Sequence, residues 1–545
     1  MKAIERIREY RQSHGTAYTL RRLGQKAAQQ LLGTYDRRYR RERASEEELR
    51  AQRADPPAAG LISVVVPVYN TDPGMLTALL ESLEKQSYAD FEAILYDGAS
   101  TREDTRRVLQ AQAEKDSRFR VIRGDKNLGI SGNTNEAVRH ARGEYVALCD
   151  HDDLLAPDAL WRMAERIAEK HPDMVYSDED RITESGRRHM DPHYKPDYCP
   201  DNLVSDNYIC HLAVIRRALL EETGLRSGFD GSQDHDLFLR IAEKTDRIEH
   251  VPHVLYSWRE VSTSKSHTEL WTCLENGCRA AAEHEAALGR PVRAVPVNKE
   301  IRLWYDIPAG VSVEALVHGD SEDACRECLG ELAFRTDWPQ LSGSILAAPE
   351  DRRIPLINEA ARTSKADYLL LLDADVTNMN RYFIREMLMY AQRDDVAGVT
   401  GVLADRKKRI THGGFALGMD GIAQCVNEGM YVTAGGWHDM MNKVHNVSAA
   451  SLCCLLVKRT NWLDLDEGYR GGLAAADLGL RQREKGKWFV FTPHAQAELG
   501  PRGLLLSGRD RDPRDAARFE GQWGTNLRDP CYSPRFGKRR ANYQY

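Results

Sequence analysis

The chain has 545 residues, of which 42% are apolar and 29% are charged. This length exceeds what one hydrophobic core usually organises, so two domains with extensions are expected. The composition excludes the disordered and membrane-embedded classes. No stretch approaches the roughly 18 apolar residues that a bilayer span needs, and the N-terminus lacks the apolar core of a signal peptide. We therefore expect a cytoplasmic protein, with its scattered cysteines reduced.

The net charge of −6 is unevenly distributed along the chain. Residues 1–60 hold 14 Lys and Arg against 8 Asp and Glu. They include Arg37-Arg38-Tyr39-Arg40-Arg41, preceded by Leu20, Leu23, Ala27 and Leu31 at helical spacing. This pattern suits a helix lying on anionic lipid or on a partner, and a solvated helical extension explains it equally well. Because residues 45–60 are polar and then rich in Pro and Gly, we predict residues 1–60 to be a basic helical extension and linker.

From Leu61 onward, short apolar runs alternate with amphipathic segments. Strands are predicted at 62–67, at 91–96 and in the run 145–149 that leads to Asp150. Helices are predicted at 75–86 and 102–115, and a third should end at Arg142. Alternation of this kind indicates a parallel sheet covered by helices.

Asp150-His151-Asp152-Asp153 directly follows the apolar run 145–149. Ligands of open α/β sheets bind at the carboxyl ends of the strands. Three carboxylates placed there repel one another unless a cation is present, and hard cations such as Mg²⁺ or Mn²⁺ prefer oxygen ligands. Taken alone, the pattern fits a solvated turn equally well.

The chain also repeats itself. Asn135-Glu-Ala-Val-Arg139, Tyr145, Asp150 and Asp152 recur at the same spacing as Asn358-Glu-Ala-Ala-Arg362, Tyr368, Asp373 and Asp375. Asp236-Leu-Phe-Leu-Arg240 likewise recurs as Asp477-Leu-Gly-Leu-Arg481. We interpret residues 61–300 and 305–510 as two copies of one α/β domain, followed by a C-terminal tail at 511–545.

The first copy resembles family 2 of the inverting glycosyltransferases, in the bacterial branch that builds cell-surface polysaccharides. The stretches that carry the resemblance are Val64-Val-Val-Pro67-Val-Tyr69-Asn70, Asp97-Gly-Ala-Ser-Thr101, Asn127-Leu-Gly-Ile-Ser, Gly143-Glu-Tyr145, Asp150-His-Asp-Asp, Tyr176-Ser-Asp178-Glu-Asp180, Lys195-Pro-Asp197, Asn207-Tyr208, Gln233-Asp234-His-Asp236 and Leu255-Tyr-Ser-Trp258-Arg259. The resemblance implies two GT-A-like, Rossmann-like domains in tandem, with mainly parallel sheets. It also implies a DXD motif, which binds a metal and a nucleotide sugar.

The resemblance assigns roles to individual residues. Asp152 and Asp150 would bind Mg²⁺ or Mn²⁺, and Asp150 would also contact the ribose. Asp97 would accept a hydrogen bond from uracil or thymine, although a helix cap or an Asx turn is its plainer alternative. The remaining predicted donor-binding residues are Pro67, Tyr69, Asn70, Asn127, Asn135 and Arg259. A turn, a polar helix face or an ordinary surface arginine also explains the last three.

Inverting transfer needs one base for the acceptor hydroxyl. We predict that base to be Asp234, which is preceded by Gln233 where the family usually has an acid. Asp236 is expected to be structural or accessory. His211 and His253 are expected to be structural, because no paired His or Cys lies at metal-ligand spacing. Aligning the repeats places Ala474-Ala475 opposite Gln233-Asp234, so the second copy is predicted to be non-catalytic.

The predicted function is metal-dependent transfer of a hexosyl group from a UDP- or dTDP-linked donor to a growing cell-surface or lipid-linked glycan. No nucleic acid partner is expected, and the basic N-terminus is the predicted contact with the inner face of the membrane. Two alternatives remain open. A nucleotidyltransferase also uses acids at strand ends, but residues 70–74 supply no cation for phosphates. A non-catalytic glycan-binding or scaffold protein would not need Asp150, Asp152 and Asp234 together.

Overall fold

The computed structural model describes residues 34–261, 269–419, 422–501, 512–539 and 541–543. The predicted helix around Leu20–Leu31 lies outside these residues. The described chain forms two compact units, one of residues up to 198 and 206–302, and the other of residues 199–205 and from 303 onward. Among the described residues, no helix combines the length and the apolar character needed to cross a membrane.

The first part of the chain alternates strands and helices. Its strands are β1 Ile62–Val68, β2 Phe91–Asp97, β3 Phe119–Arg123, β4 Tyr145–Leu148, β5 Leu154–Leu155, β6 Met174–Ile182, β7 His189–His193, β8 Ala213–Arg216, β9 Ile248–Arg259, β10 Val292–Val297 and β11 Glu300–Tyr305. Its helices are α1 Thr34–Glu42, α2 Glu46–Ala54, α3 Pro73–Glu84, α4 Glu103–Lys115, α5 Gly129–Arg139, α6 Ala159–Lys170, α7 Pro200–Ser205, α8 Arg217–Thr223, α9 Gln233–Ala242 and α10 Leu270–Ala287. Helix α7 belongs to the second unit.

The second part of the chain repeats this alternation. Its strands are β12 Val313–Gly319, β13 Leu341–Ala347, β14 Tyr368–Asp373, β15 Val376–Thr377, β16 Val396–Ala404, β17 Ile410–His412, β18 Phe415–Leu417, β19 Ala423–Cys425, β20 His445–Val447, β21 Cys454–Lys458 and β22 Trp488–Leu499. Its helices are α11 Glu322–Arg335, α12 Glu350–Thr363, α13 Phe383–Ala391, α14 Leu473–Glu484 and α15 Pro513–Trp523.

Apart from β3, which has no counterpart among the described strands of the second sheet, the two large sheets share one strand order, as the sequence repeat predicts. In the first unit it is β3-β2-β1-β4-β8-β6-β9-β5, and in the second it is β13-β12-β14-β21-β16-β22-β15. Strands β3, β2, β1 and β4 are mutually parallel, whereas β8 joins antiparallel to β4 and β6. The strands β1, β2 and β4 are buried along their whole length, which explains their continuous apolar sequence. The predicted α/β fold of two tandem copies is therefore confirmed.

Several predicted element ends differ from those in the structure. The helix predicted at 75–86 begins at Pro73, because the Asp72 side chain accepts hydrogen bonds from the next turn and proline suits the first helical position. Residues 46–54, predicted as linker, form α2 behind a capping box of Ser45 and Glu48.

The described part of the predicted C-terminal tail belongs to the second unit. Phe519 of α15 is fully buried in the core of that unit. The Asp515 carboxylate accepts hydrogen bonds from the backbone N–H groups of Arg470 and Gly471, both at about 3 Å or less. The segment therefore completes a core, which its polar sequence does not indicate.

Each copy contains the same asparagine latch. The Asn135 side chain forms two hydrogen bonds with the backbone of Leu225: its Nδ2 donates to the carbonyl at 2.8 Å, and its Oδ1 accepts from the N–H at 2.9 Å. The Asn358 side chain forms the same two hydrogen bonds with the backbone of Leu465, at 2.9 Å from Nδ2 and 2.8 Å to Oδ1. The recurring asparagine therefore joins a helix to a distant loop in both units.

Asn135→Ala and Asn358→Ala are each expected to lower the free energy of unfolding by about 1–3 kcal/mol, since each leaves two backbone groups without a partner. Urea unfolding and hydrogen exchange of α5 and α12 peptides would measure this. The two variants are matched controls for each other. If Asn135→Ala lost UDP affinity while its stability stayed that of the wild type, the latch interpretation would be wrong.

Candidate functional site

The carboxylates after β4 lie at the carboxyl edge of the first sheet. Strand β4 ends at Leu148, and a short turn carries Asp150, Asp152 and Asp153 before β5 begins. Asp150 and Asp152 are partly exposed, whereas Asp153 is fully buried. This edge is where parallel α/β sheets bind ligands, so the structure brings the predicted metal-binding pair to the expected place.

Asp153 holds the turn in position. One of its carboxylate oxygens accepts a hydrogen bond from the Tyr256 hydroxyl and the other from the backbone N–H of Arg259, both at 2.7 Å. Burial, followed by the negative charges of Asp152 and Asp150, raises the pKa of Asp153 well above its usual value. Asp153 therefore anchors the turn, while Asp150 and Asp152 stay partly exposed.

Arg259, predicted as a donor contact, is buried beside the same turn. Its Nε donates to the carbonyl of Asp152 at 2.6 Å, and its Nη1 donates to the carbonyl of Glu184 at 2.8 Å. Its Nη2 is buried and has no hydrogen-bond partner among the described residues. The arginine thus fixes the position of Asp152 and keeps one unsatisfied donor.

The acidic turn is electrostatically crowded. Burial and the neighbouring Asp150 charge raise the pKa of Asp152 above its usual value, although His151 partly opposes them. Burial also acts to raise the pKa of Asp150, but a hydrogen bond and the positive charge of His211 lower it overall. A divalent cation would relieve this repulsion, and the oxygen atoms of Asp150 and Asp152 are suitable ligands.

His211, expected to be structural, lies at the site. Its Nε2 is 3.5 Å from an Asp150 carboxylate oxygen, and its ring stacks on Tyr256 with centroids 4.6 Å apart. The residue precedes β8, which is the antiparallel neighbour of β4, so the sheet brings it beside Asp150. Spacing in the sequence could not reveal this contact, because it joins residues 61 positions apart.

The predicted base Asp234 is in the first turn of α9. Its Oδ1 accepts a hydrogen bond from the backbone N–H of His235 at 2.9 Å, and its Oδ2 accepts one from the Asn207 side chain at 2.8 Å. The Cys210 thiol lies 3.8 Å from Oδ2. Ligand atoms of Cys210, His211 and Asp234 lie within 4.8 Å of one another, as do those of Asp150, Asp153 and His211. His211 therefore links the acidic turn to Asp234.

Asp236 has the structural role that was expected. Its buried carboxylate forms ion pairs with Arg226 and Arg240. Gln233, where the family usually has an acid, accepts a hydrogen bond from the backbone N–H of Gly231 at 2.7 Å. These contacts hold the start of α9, where the Asp234 carboxylate lies within 4.8 Å of the ligand atoms of Cys210 and His211.

Some residues of the predicted nucleotide site are exposed, and others already form hydrogen bonds within the protein. Tyr69, which follows buried Pro67, is 41% exposed. The side-chain Oδ1 of Asn70 accepts hydrogen bonds from the backbone N–H groups of Thr101 and Arg102 at 2.8 and 2.9 Å, so Asn70 shapes the loop after β2. Buried Asp97 accepts one from the backbone N–H of Ser100 at 2.7 Å, which is the Asx turn named as its alternative. Its other oxygen takes no hydrogen bond within the described parts of the chain.

The predicted asparagines differ in their surroundings. The side-chain Oδ1 of Asn127 accepts hydrogen bonds from the backbone N–H of Gly129 at 3.0 Å and from the Asn133 side chain at 2.9 Å. Asn133 packs so closely on Gly98, beside Asp97, that a Cβ there would lie 2.5 Å from its amide nitrogen. Asn135 uses both ends of its amide in the latch to Leu225, as does Asn358 in the other copy. Asn127 is exposed and contacts Asn133 beside the Asp97 loop, so its donor role stays a prediction, whereas the contacts of Asn135 assign it to the fold.

The second unit lacks most of these groups at matching positions. Strand register places Ala347 where Asp97 stands, because Gly319 pairs with Ala347 as Val68 pairs with Asp97. Asp373 and Asp375 occupy the positions of Asp150 and Asp152. The residues that hold the acidic turn in the first unit, and the predicted base, are replaced in the second. The substitutions are Val376 for Asp153, Ala497 for Tyr256, Gly500 for Arg259 and Ala475 for Asp234.

Comparison with known proteins agrees with this geometry. A family model described as Glycosyl transferase family 2 matches residues 63–224, which contain the β1 and β4 edges. An uncharacterised glycosyltransferase, YwdF of Bacillus subtilis, is 30% identical over 38% of this chain and 77% of its own length.

Two longer matches extend into the second unit. The uncharacterised protein y4gI of Sinorhizobium fredii is 33% identical over 89% of this chain and 58% of its own length. The O-antigen biosynthesis protein RfbC of Myxococcus xanthus is 31% identical over 81% of this chain and 37% of its own length. The chain therefore spans less than two thirds of these two relatives.

Proposed function

The chain belongs to glycosyltransferase family 2, and we propose that it transfers a hexosyl group, with inversion, from a UDP- or dTDP-linked donor to a growing cell-surface or lipid-linked glycan. The observation that carries this proposal is the grouping of Asp150, His211 and Asp234 at one sheet edge, with Asp97 at the end of β2, two strands from β4 at the same edge. A donor that spans this edge would have its base near Asp97 and its diphosphate near Asp150 and Asp152.

The donor site is supported by groups that still have hydrogen-bonding capacity. Asp97 has one carboxylate oxygen without a partner among the described residues, and it could accept the N–H of uracil or thymine. Tyr69 is exposed beside it and could cover the base. The unpartnered Nη2 of Arg259 could donate to the diphosphate. These groups favour a pyrimidine nucleotide diphosphate donor.

The reaction would be a single displacement at the anomeric carbon. The acceptor oxygen forms the new glycosidic bond as the bond to the diphosphate oxygen breaks, and the electron pair leaves with the nucleoside diphosphate. Asp234 takes the acceptor hydroxyl proton as general base. Asn207 and the His235 N–H orient the Asp234 carboxylate. Mg²⁺ or Mn²⁺, held by Asp152 and Asp150, would stabilise the charge of the departing diphosphate.

Thermal-shift measurements with a panel of nucleotide sugars, with and without Mn²⁺, would separate this function from its rivals. Stabilisation by a UDP- or dTDP-sugar only when Mn²⁺ is present supports a glycosyltransferase. A nucleotidyltransferase should instead respond to a nucleoside triphosphate with a sugar phosphate. A glycan-binding protein should respond to oligosaccharides without metal. Product analysis with a lipid-linked acceptor would then give the linkage.

Membrane contact through the basic N-terminal region remains part of the proposal. In the described helix α1, Arg37 and Arg41 face solvent. Basic groups near anionic lipid contribute roughly 1 kcal/mol each. Retention of the chain on vesicles containing phosphatidylglycerol, lost at high salt, would support peripheral attachment at the inner face of the membrane.

Asp152→Ala is expected to abolish transfer, and EDTA should abolish it reversibly, because the diphosphate would lose its counter-charge. The readout is product formation together with calorimetry of UDP binding in Mn²⁺. Asp125→Ala, an exposed acid in the loop after β3, serves as the control and should retain activity. Full activity in excess chelator would contradict metal dependence.

Asp234→Asn keeps the size of the side chain and removes its basicity, so turnover should fall about 10²–10⁴-fold, the usual contribution of general base catalysis. UDP affinity should stay close to that of the wild type, because Asp234 is assigned to the acceptor. Single-turnover rates and calorimetry would measure the two quantities. Equal losses in affinity and rate would instead make Asp234 a binding or folding residue.

The second unit is proposed not to catalyse transfer. Asp373→Ala/Asp375→Ala should leave the rate and linkage of sugar transfer unchanged, since Ala347 and Ala475 supply neither base recognition nor a catalytic base. Mass spectrometry and NMR of the product would test this, with Asp150→Ala/Asp152→Ala as the matched inactive pair. A product missing one of two wild-type linkages would identify a second active site.

A further inference from the structure

Strand β6 buries three consecutive carboxylates, Asp178, Glu179 and Asp180. Each has a histidine partner: His250 lies 2.9 Å from Asp178, His193 lies 3.2 Å from Glu179 and His189 lies 2.9 Å from Asp180. Burying one charge is costly unless it is paired, and burying three in succession is rare. The site described above uses none of these acids directly, so their retention needs another reason.

The second unit shows that the fold does not need these acids. Ser257 pairs with Asp180 in the first sheet, and Glu498 at the matching position pairs with Ala404 in the second. The run Asp178-Glu179-Asp180 therefore corresponds to Val402-Leu403-Ala404. All three of these apolar residues are buried in β16, the strand of the second sheet that corresponds to β6. The acids must therefore serve something that the second unit lacks.

Glu179 acts together with a buried lysine. The Lys195 ammonium is fully buried and lies 3.3 Å from Glu179 Oε2. It donates hydrogen bonds to the carbonyls of Ile209 and His211, both at 2.6 Å. The same Glu179 oxygen accepts a hydrogen bond from the backbone N–H of His211 at 3.0 Å. The ion pair thus holds the backbone of residues 209–211 at three points.

The held segment presents two side chains to the site. Cys210 lies 3.8 Å from Asp234, and His211 lies 3.5 Å from Asp150. Cys210 has a φ of 38°, a left-handed conformation that a non-glycine residue keeps only when its surroundings impose it. Nearby Asn207 donates to Asp234. The segment therefore lies between the proposed base and the acidic turn.

We propose that Lys195 and Glu179 are positioning residues, which hold residues 209–211 so that Asp234 and Asp150 keep the spacing that transfer requires. This inference rests on the proposed function for its catalytic consequence. Its structural part, the hold on Cys210, can be tested without any activity. Neither residue is assigned a contact with donor, metal or acceptor.

The first test replaces Lys195 by methionine in the full chain, which removes the charge and keeps most of the length. Turnover should fall about 10²-fold, as expected for misplaced reacting groups. UDP affinity in Mn²⁺ should stay within about threefold, roughly 0.7 kcal/mol. Alkylation of Cys210 by iodoacetamide, followed by peptide mass spectrometry, should become about tenfold faster as the segment opens locally. The buried thiols Cys149 and Cys278 should react at the wild-type rate.

Two further variants separate positioning from general stability. Glu179→Gln keeps an oxygen acceptor for the His211 N–H and should retain most turnover. Lys195→Met/Glu179→Leu introduces an apolar pair, with the leucine found at this position in the second unit. It should fold even where Lys195→Met alone does not, yet remain slow in turnover and fast in Cys210 alkylation.

Asp173→Asn is the matched control, because Asp173 is a buried acid beside the start of β6 whose ion pairs to Arg216 and Arg247 do not touch residues 209–211. It should lower stability without changing Cys210 alkylation. The proposal is overturned if Cys210 alkylation stays at the wild-type rate in the folded lysine variants, or if all three thiols accelerate together. If the wild-type chain transfers no sugar from any donor, the alkylation result still decides whether the pair holds the segment.

Discussion

The burial of negative charge at one edge of the first sheet is the constraint on which the site depends. Asp153, Asp178 and Asp180 are fully buried, and Asp150 and Asp152 lie beside Asp153 in the same turn. Charges in such surroundings require partners, and the partners are specific: Arg259 and Tyr256 for the acidic turn, and Lys195 with histidines for β6. Each partner contacts more than one group. The positions of the acids are therefore coupled through shared hydrogen bonds.

The second unit separates the requirements of the fold from those of the site. It keeps the strand order, the asparagine latch and the ion pair in the first helical turns of α14, where Asp477 bonds to Arg481. These features recur in a copy with no base at position 475, so they serve folding. The features that do not recur are the buried acids and their partners. A residue type that appears in both copies is thus weaker support for a donor contact than one found only in the first.

Much of the fold could be predicted from the sequence, because buried parallel strands are continuous apolar runs and the repeat fixes two copies. The predicted strands at 62–67 and 91–96 and the acidic turn are local patterns of this kind. His211 could not be found in this way, since its contact with Asp150 depends on β8 pairing antiparallel with β4. Lys195 and Glu179 stood out only as parts of the stretches that carry the family resemblance, because sequence alone reveals neither their burial nor their pairing. The role of Asn135 became clear only when its contacts were compared with those of Asn358.

The pattern of replacement in the second unit follows from the same electrostatics. Removing Arg259 alone would leave Asp152 without its backbone anchor, and removing Tyr256 alone would leave one Asp153 oxygen unpaired and buried. In the second unit, Val376, Ala497 and Gly500 replace Asp153, Tyr256 and Arg259 together, so no buried carboxylate is left at position 376 without a partner. Asp373 persists because its turn still uses it: Oδ1 accepts a hydrogen bond from the backbone N–H of Asp375 at 2.8 Å, and buried His318 lies 3.7 Å from Oδ2. The backbone role of Asp373 is thus enough to explain this carboxylate, and a DXD pattern does not by itself indicate a metal site.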